Sequence, residues 1–98
     1  MQNFKVGLCR MLENIVLCED KNITIDILLN NLFGLYDWIE GSSHEKFSLK
    51  FHEYWDYLEE IFACDRVIEY DQKIYKDILP KFRFSLCGFL NSDEEKKM

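Results

Sequence analysis

The chain has 98 residues, of which 48% are hydrophobic and 15% aromatic, and its 12 basic and 18 acidic residues give a formal charge of −6. This length fits one domain, and so apolar a composition excludes a disordered chain. The negative charge disfavours direct binding to nucleic acid, because phosphate selects clustered Lys and Arg. No apolar run approaches the roughly 20 residues of a membrane span, so we expect no membrane contact.

The first segment predicts an amphipathic helix that stops near the polar cluster at residues 19–22. Its apolar residues recur at intervals of three or four, which places them on one helical stripe: Phe4, Leu8, Met11, Leu12 and Ile15. Charged residues interrupt this segment every few positions, which argues against a signal peptide. We therefore expect the protein to act in the cytoplasm.

The second segment predicts a helix that begins after Thr24, the expected N-cap, and carries Asp26 in its first turn. Gly41 is placed to end it in a left-handed conformation. The predicted core stripe comprises Ile25, Leu28, Leu29, Leu32, Tyr36 and Ile39. Further apolar residues widen this surface and predict that the helix is the centre of a bundle: Ile27, Phe33, Leu35 and Trp38.

The third segment predicts a helix that is rich in aromatic residues. Ser42 and Glu45 fit a capping box at its start, with Ser48 as an alternative first residue. Its apolar residues run at helical spacing for about four turns and are expected to fill the core: Phe47, Phe51, Tyr54, Trp55, Leu58, Ile61 and Phe62.

The last third is less regular. Tyr70, Ile74 and Ile78 indicate a helix, but Pro80 cannot continue one smoothly. Residues 81–86 alternate as a short strand would, yet no partner strand is evident, so a helix that is kinked or restarted at Pro80 is favoured. The prediction is an all-α fold, a small antiparallel bundle of about four helices. It forms one domain over residues 1–90, with a charged, frayed tail at 91–98.

No motif in the chain indicates catalysis, so we expect neither an enzyme nor a cofactor. The four cysteines form no C-x-x-C pair and lie next to apolar residues, which predicts reduced thiols in or near the core: Cys9, Cys18, Cys64 and Cys87. His52, Asp56 and Glu59 could share a helix face, but one histidine makes a weak metal site. We therefore expect no metal.

The acidic residues are concentrated in one part of the chain. Between Asp37 and Asp71, ten acids and three bases give a local charge of −7, while the remaining residues are close to neutral. The residues predicted to meet a basic protein partner are Asp37, Glu40, Glu53, Asp56, Tyr57 and Glu60. Glu53, Asp56 and Glu60 form a stripe away from the apolar face of the third helix. Such a stripe is either a solvated helix face or a docking surface, in which acids speed the encounter and a ring anchors the complex.

In size, helical pattern and lack of catalytic motifs, the chain resembles the small acidic helical immunity proteins that bacteria encode beside toxins of the contact-dependent-inhibition, colicin and Maf types. The stretch LFGLYDWIEG … FSLKFHEYWDYLEEIFA carries the resemblance. Its EYWDY run is similar to the acid-plus-tyrosine face of the DNase-colicin immunity proteins. The run departs from their motif, so no residue role is carried over. The resemblance implies stoichiometric binding to a toxin, a nuclease domain by expectation.

Two other classes fit the sequence. A phage or plasmid inhibitor of the anti-restriction or anti-CRISPR type would mimic nucleic acid, but it needs acids spread like phosphates over an extended surface. A helical adaptor or oligomerising regulator would use the surplus of aromatic residues as an interface. Dimerisation through Trp38 or Trp55 would support that third class.

Overall fold

The computed structural model describes residues 2–39, 41 and 45–96, and the side chains of residues 4–39, 41 and 45–90. Helix α1 spans Gln2–Glu19, α2 spans Ile25–Ile39 and α3 spans Glu45–Ala63. The fourth helix, α4, is joined from Asp71–Lys73, a π-helical segment Ile74–Ile78, and Leu79–Lys96. All regular structure within these described residues is helical, which confirms the predicted fold class.

Successive helices run antiparallel around one core. Helix α1 packs beside α2 and α4, and α3 packs beside the same two helices, so the four form a closed bundle about 45 Å long and 22 Å wide. Side-chain hydrogen bonds join each neighbouring pair: Asn14–Asn31, Tyr36–Ser48, Tyr54–Ser85 and Glu19–Arg83.

The apolar stripes form the core largely as predicted. Burial of each stripe removes apolar surface from water, which is the main favourable contribution to folding. The fully buried side chains include Leu8, Met11, Ile15, Leu28, Leu32, Phe47, Phe51 and Leu58. The predicted central position of α2 is wrong, because Ile27, Phe33 and Trp38 are about half exposed. Phe62 is also exposed, although its spacing predicted a core position.

The residues that adopt a left-handed conformation after the helices are not the one that was predicted. Gly41 does not adopt a positive φ, so its predicted role is wrong. Instead Lys21 and Asp65, which follow α1 and α3, have φ of 63° and 59°. At the first of these ends the Asn22 N–H donates to the Leu17 carbonyl oxygen at 2.8 Å, the bond pattern that closes a helix through a left-handed residue.

Thr24 precedes the first residue of α2, as predicted, and its hydroxyl donates to the Asp26 carboxylate. This bond lowers the pKa of Asp26. Helix α3 begins at Glu45, so the alternative start at Ser48 is wrong. The Ser42 half of the predicted capping box lies outside the described residues.

The irregularity at Pro80 takes the form of a π-helical segment. Proline has no N–H, and its ring clashes with the carbonyl four residues earlier. The preceding turn is wider: the Leu79 N–H bonds the Ile74 carbonyl oxygen, five residues back. Ile74 and Ile78 stay buried in this arrangement. Residues 81–87 are helical and not a strand, and the backbone of residues 91–96, assigned to the tail from the sequence, is helical too.

Candidate docking surface

Helix α3 is held in place by a column of aromatic rings. Tyr36 of α2 stacks on Phe51 with ring centroids 4.5 Å apart, and Phe51 continues to Trp55 at 6.4 Å. On the other side, Phe82 of α4 stacks on Tyr54 at 5.2 Å. These contacts fix which face of α3 is inside, and therefore which side chains face outward.

The middle of the outer surface of α3 carries acids and one leucine. Glu45, Leu49, Asp56 and Glu60 are all exposed, and Leu49 is 67% exposed. Successive members lie four or seven residues apart, which places them on one row of the helix. We call this row the central row. It contains three exposed carboxylates and the half-buried imidazole of His52, which is hydrogen-bonded to Asp56, and it contains no Lys or Arg.

The edge of α3 that faces α4 has a mixed charge. Lys50 lies 3.4 Å from Glu53, one turn along the helix, and lines a groove with Gly88 of α4. Tyr57 is 38% exposed and lines a small cleft with Arg66. Two residues predicted to bind a partner, Glu53 and Tyr57, therefore lie beside basic side chains. Glu53 has Lys50 as its ionic neighbour, and Tyr57 has Arg66 in the same cleft.

The edge of α3 that faces α2 is aromatic and acidic. The indole N–H of Trp55 donates to the Leu29 carbonyl oxygen at 3.1 Å, which ties the ring to α2. Phe33 packs on the same indole with ring centroids 5.8 Å apart. His52 is hydrogen-bonded to Asp56 at 3.2 Å. We call the surface where α2 meets α3, centred on Phe33 and Trp55, the aromatic seam.

The predicted partner-binding residues that the structure describes are all exposed. Glu53, Asp56 and Glu60 are exposed on α3, and Asp37 is exposed on α2 one turn beyond Phe33. Glu40 lies outside the described residues. Phe33 is a surface residue, although its apolar character predicted additional core. The spacing gave no signal of this exposure, because Phe33 lies four residues after Leu29 and three before Tyr36, which are both stripe residues.

The described residues include few arrangements suited to metal binding or thiol chemistry. Among them, no group of three or more His, Cys, Asp or Glu side chains lies close enough to hold a metal ion. All four cysteines are free thiols: Cys9 and Cys64 are exposed, Cys87 is half-buried and Cys18 is buried. The predicted near-core placement is therefore wrong for Cys9 and Cys64. Cys9 follows buried Leu8, and one further residue rotates it outward.

Burial raises the pKa of the Cys18 thiol from 9.0 to about 11 and, together with the neighbouring thiol, raises the pKa of Tyr75 to about 12. The two groups are hydrogen-bonded between α1 and the π-helical segment. A thiol with a raised pKa stays protonated at neutral pH, so Cys18 is a poor nucleophile and serves the packing of the core.

A comparison of the chain with models of protein families, with curated protein sequences and with solved structures gave no match. None of the described helices has the length and apolar character needed to cross a membrane. The surface of α3 and the aromatic seam are therefore the features on which a functional proposal rests.

Proposed function

We propose that this protein is a bacterial immunity protein. It binds a cognate toxin domain, a nuclease, in the cytoplasm and neutralises it through the acidic surface of α3. The observation that carries the proposal is the central row, in which Glu45, Asp56 and Glu60 are exposed and which contains no Lys or Arg. Asp56 and Glu60 are four residues apart, and like charges at that spacing cost a helix a few tenths of a kcal/mol, a cost for which a docking role supplies a reason.

Inhibition in this proposal is stoichiometric. A nuclease must present a basic groove to bind phosphate, and a surface with a local charge of −7 between residues 37 and 71 is complementary to it. The acids increase the rate of encounter, and the complex then excludes RNA or DNA from the groove. Binding at a neighbouring site that blocks a required group would have the same outcome.

The first test is a growth assay. The polypeptide encoded immediately upstream, or its C-terminal portion, is expressed alone and then together with this protein. We expect toxicity that co-expression abolishes, with the two chains purifying as a complex. Toxicity that co-expression does not relieve would contradict the proposal. It would favour an inhibitor that mimics nucleic acid or an oligomerising regulator.

The second test addresses the surface. The variant Glu53→Gln/Asp56→Asn/Glu60→Gln removes three exposed charges from α3. We expect its association rate with the co-purified partner to fall about tenfold at low ionic strength, with a smaller loss at high salt. Surface plasmon resonance at several salt concentrations measures both rates.

A matched control removes three exposed acids that lie outside α2 and α3: Glu13→Gln/Asp20→Asn/Glu69→Gln. Its net charge equals that of the α3 variant, so a general charge effect would slow both proteins equally. We expect the control to associate within about twofold of the parent rate. Equal slowing of the two variants would mean that α3 is only solvated surface.

A further inference from the structure

Phe33 is an aromatic side chain that the core does not enclose. It is 56% exposed, while one part of its ring packs on Trp55 with an interplanar angle of 34°. The contact holds the Phe33 ring against a neighbour and leaves its outer face in water. A ring fixed in this way loses little conformational entropy when a partner covers it.

Trp55 gives this ring a rigid support. Its indole N–H donates to the Leu29 carbonyl oxygen at 3.1 Å, and its inner face stacks on buried Phe51 with an interplanar angle of 16°. The exposed ring of Phe33 is thus the outer end of a stack that begins in the core. Because both helices contribute to the stack, the platform is preorganised.

The charge around the platform is negative. Asp37 follows Phe33 by one turn of α2, and Asp56 and Glu59 flank Trp55 on α3, all of them exposed. Helix α2 contains no Lys, Arg or His. On α3, Lys50 lines the groove beside α4, away from the aromatic seam. Among the described residues of these two helices, His52 is the one basic group at the seam, and it is bonded to Asp56.

We propose that the aromatic seam binds an arginine side chain of the basic partner, with Phe33 as the stacking platform and Asp37 and Glu59 as hydrogen-bond acceptors. The inference rests on the proposed function and deepens it by naming the anchor. A guanidinium is planar and weakly hydrated, so it stacks on aromatic rings and donates sideways to carboxylates. An ammonium is a strongly hydrated point charge and fits this combination less well.

The test compares two probes of equal length and charge, an oligoarginine and an oligolysine peptide. Their affinities for the whole protein are measured by isothermal titration at low ionic strength. We expect the oligoarginine peptide to bind about fivefold more tightly. We also expect its binding to shift the indole N–H resonance of Trp55 more than that of Trp38, which lies on the other side of α2.

Two alanine variants make the test specific. Phe33→Ala should reduce the preference for arginine to less than about twofold, while Phe84→Ala should leave it unchanged. Phe84 is a suitable control because its ring is 80% exposed on α4, a helix that does not contribute to the aromatic seam, with Lys81 one turn before it. Phe33→Leu, which keeps apolar surface but removes the ring, should behave like Phe33→Ala. Circular dichroism checks that each variant is folded.

The possible failures separate the two proposals. Equal binding of both peptides, or an arginine preference that survives Phe33→Ala, overturns the arginine anchor and leaves the acidic docking surface standing. If neither peptide binds, the acidic surface itself is not a docking site and both proposals fail. Self-association through the seam, seen as a dimer in sedimentation that Phe33→Ala abolishes, would also overturn the anchor.

Discussion

Gly7 and Gly34 lie inside helices, yet their surroundings predict opposite responses to alanine. A Cβ on Gly7 of α1 would clash with the Cγ2 atom of Ile39 of α2, whereas a Cβ on Gly34 meets nothing within 4 Å. Alanine is otherwise the better helix residue by about 1 kcal/mol. We expect Gly34→Ala to raise the free energy of unfolding by about 0.5–1 kcal/mol, and Gly7→Ala to lower it by about 1–2 kcal/mol.

Urea denaturation followed by circular dichroism measures both changes, and each glycine is the control for the other. Stabilisation by both substitutions would show that α1 and α2 can separate slightly near Ile39 at little cost. The close approach of these two helices would then not depend on Gly7.

The buried thiol of Cys18 makes stability depend on alkaline pH. Its pKa is about 11 in the folded protein, against an ordinary value of 9.0. The unfolded chain therefore releases this proton first as the pH rises. The stabilisation is complete below pH 9 and is lost as the pH rises towards 11. We expect the free energy of unfolding to fall by about 2 kcal/mol over this interval from Cys18 alone.

Urea titrations at a series of pH values measure this slope. Cys18→Ala should flatten the slope, and Cys64→Ala, which changes an exposed thiol, should leave it as in the parent. A parental slope that persists in Cys18→Ala would assign the effect to Tyr75, whose pKa is also raised, to about 12.

At the scale of the helices, one ion pair joins α1 to α4. The Arg83 guanidinium binds both carboxylate oxygens of Glu19, with N–O distances of 2.7 and 3.2 Å, and the Glu19 side chain is only 18% exposed. The pairing raises the pKa of Arg83. Because lysine cannot form this two-pronged contact, we expect Arg83→Lys to lower the free energy of unfolding by about 1 kcal/mol.

The Asp77–Lys81 pair within α4 is the control. It is also short, at 3.0 Å, but the Lys81 side chain is 66% exposed. Water screens such a pair, so Lys81→Met should change the free energy of unfolding by less than about 0.5 kcal/mol. Thermal unfolding of both variants measures the difference. Equal losses of stability would show that the Glu19–Arg83 pair stabilises the contact of α1 with α4 no more than an exposed ion pair does.

The helices were predictable from sequence because each has an apolar stripe with a strong period. The stripes of α1 and α2 correctly predicted that Phe4, Ile15 and Leu32 are core residues. The π-helical segment was not predictable in detail. Proline indicates a disturbance, but whether the chain kinks, restarts or widens depends on which turn keeps Ile74 and Ile78 buried, and that choice is made by tertiary packing.

At the scale of the molecule, the outward direction of the acids was predictable, and the extent of the core was not. The spacing of Glu53, Asp56 and Glu60 opposes the apolar stripe of α3, so these acids had to face water. The spacing of Phe33 and Phe62 could not say whether a neighbouring helix covers them. With four helices, each flank is enclosed on the inside only, which leaves both rings about half exposed.

The unequal distribution of charge predicts that repulsion between carboxylates destabilises the folded state. Residues 37–71 carry a local charge of −7 within a chain of charge −6, so repulsion among exposed carboxylates opposes the compact state. Salt shortens the range of this repulsion to about 8 Å at physiological ionic strength. We expect the free energy of unfolding to rise by about 0.5–1 kcal/mol when NaCl is raised from low to physiological concentration.

The variant Glu53→Gln/Asp56→Asn/Glu60→Gln isolates the contribution of α3 to this effect. Losing three like charges, it should be more stable than the parent at low salt and should gain less when salt is added. Any general effect of NaCl on apolar surface is the same in both proteins, so the difference between their salt slopes reports the charges alone. Urea denaturation at a series of NaCl concentrations gives both slopes.

If the parent instead loses stability with salt, the local pairs Lys50–Glu53 and His52–Asp56 outweigh the repulsion. The acids of α3 would then be stabilising surface groups, and no cost to the fold would remain for a docking role to explain.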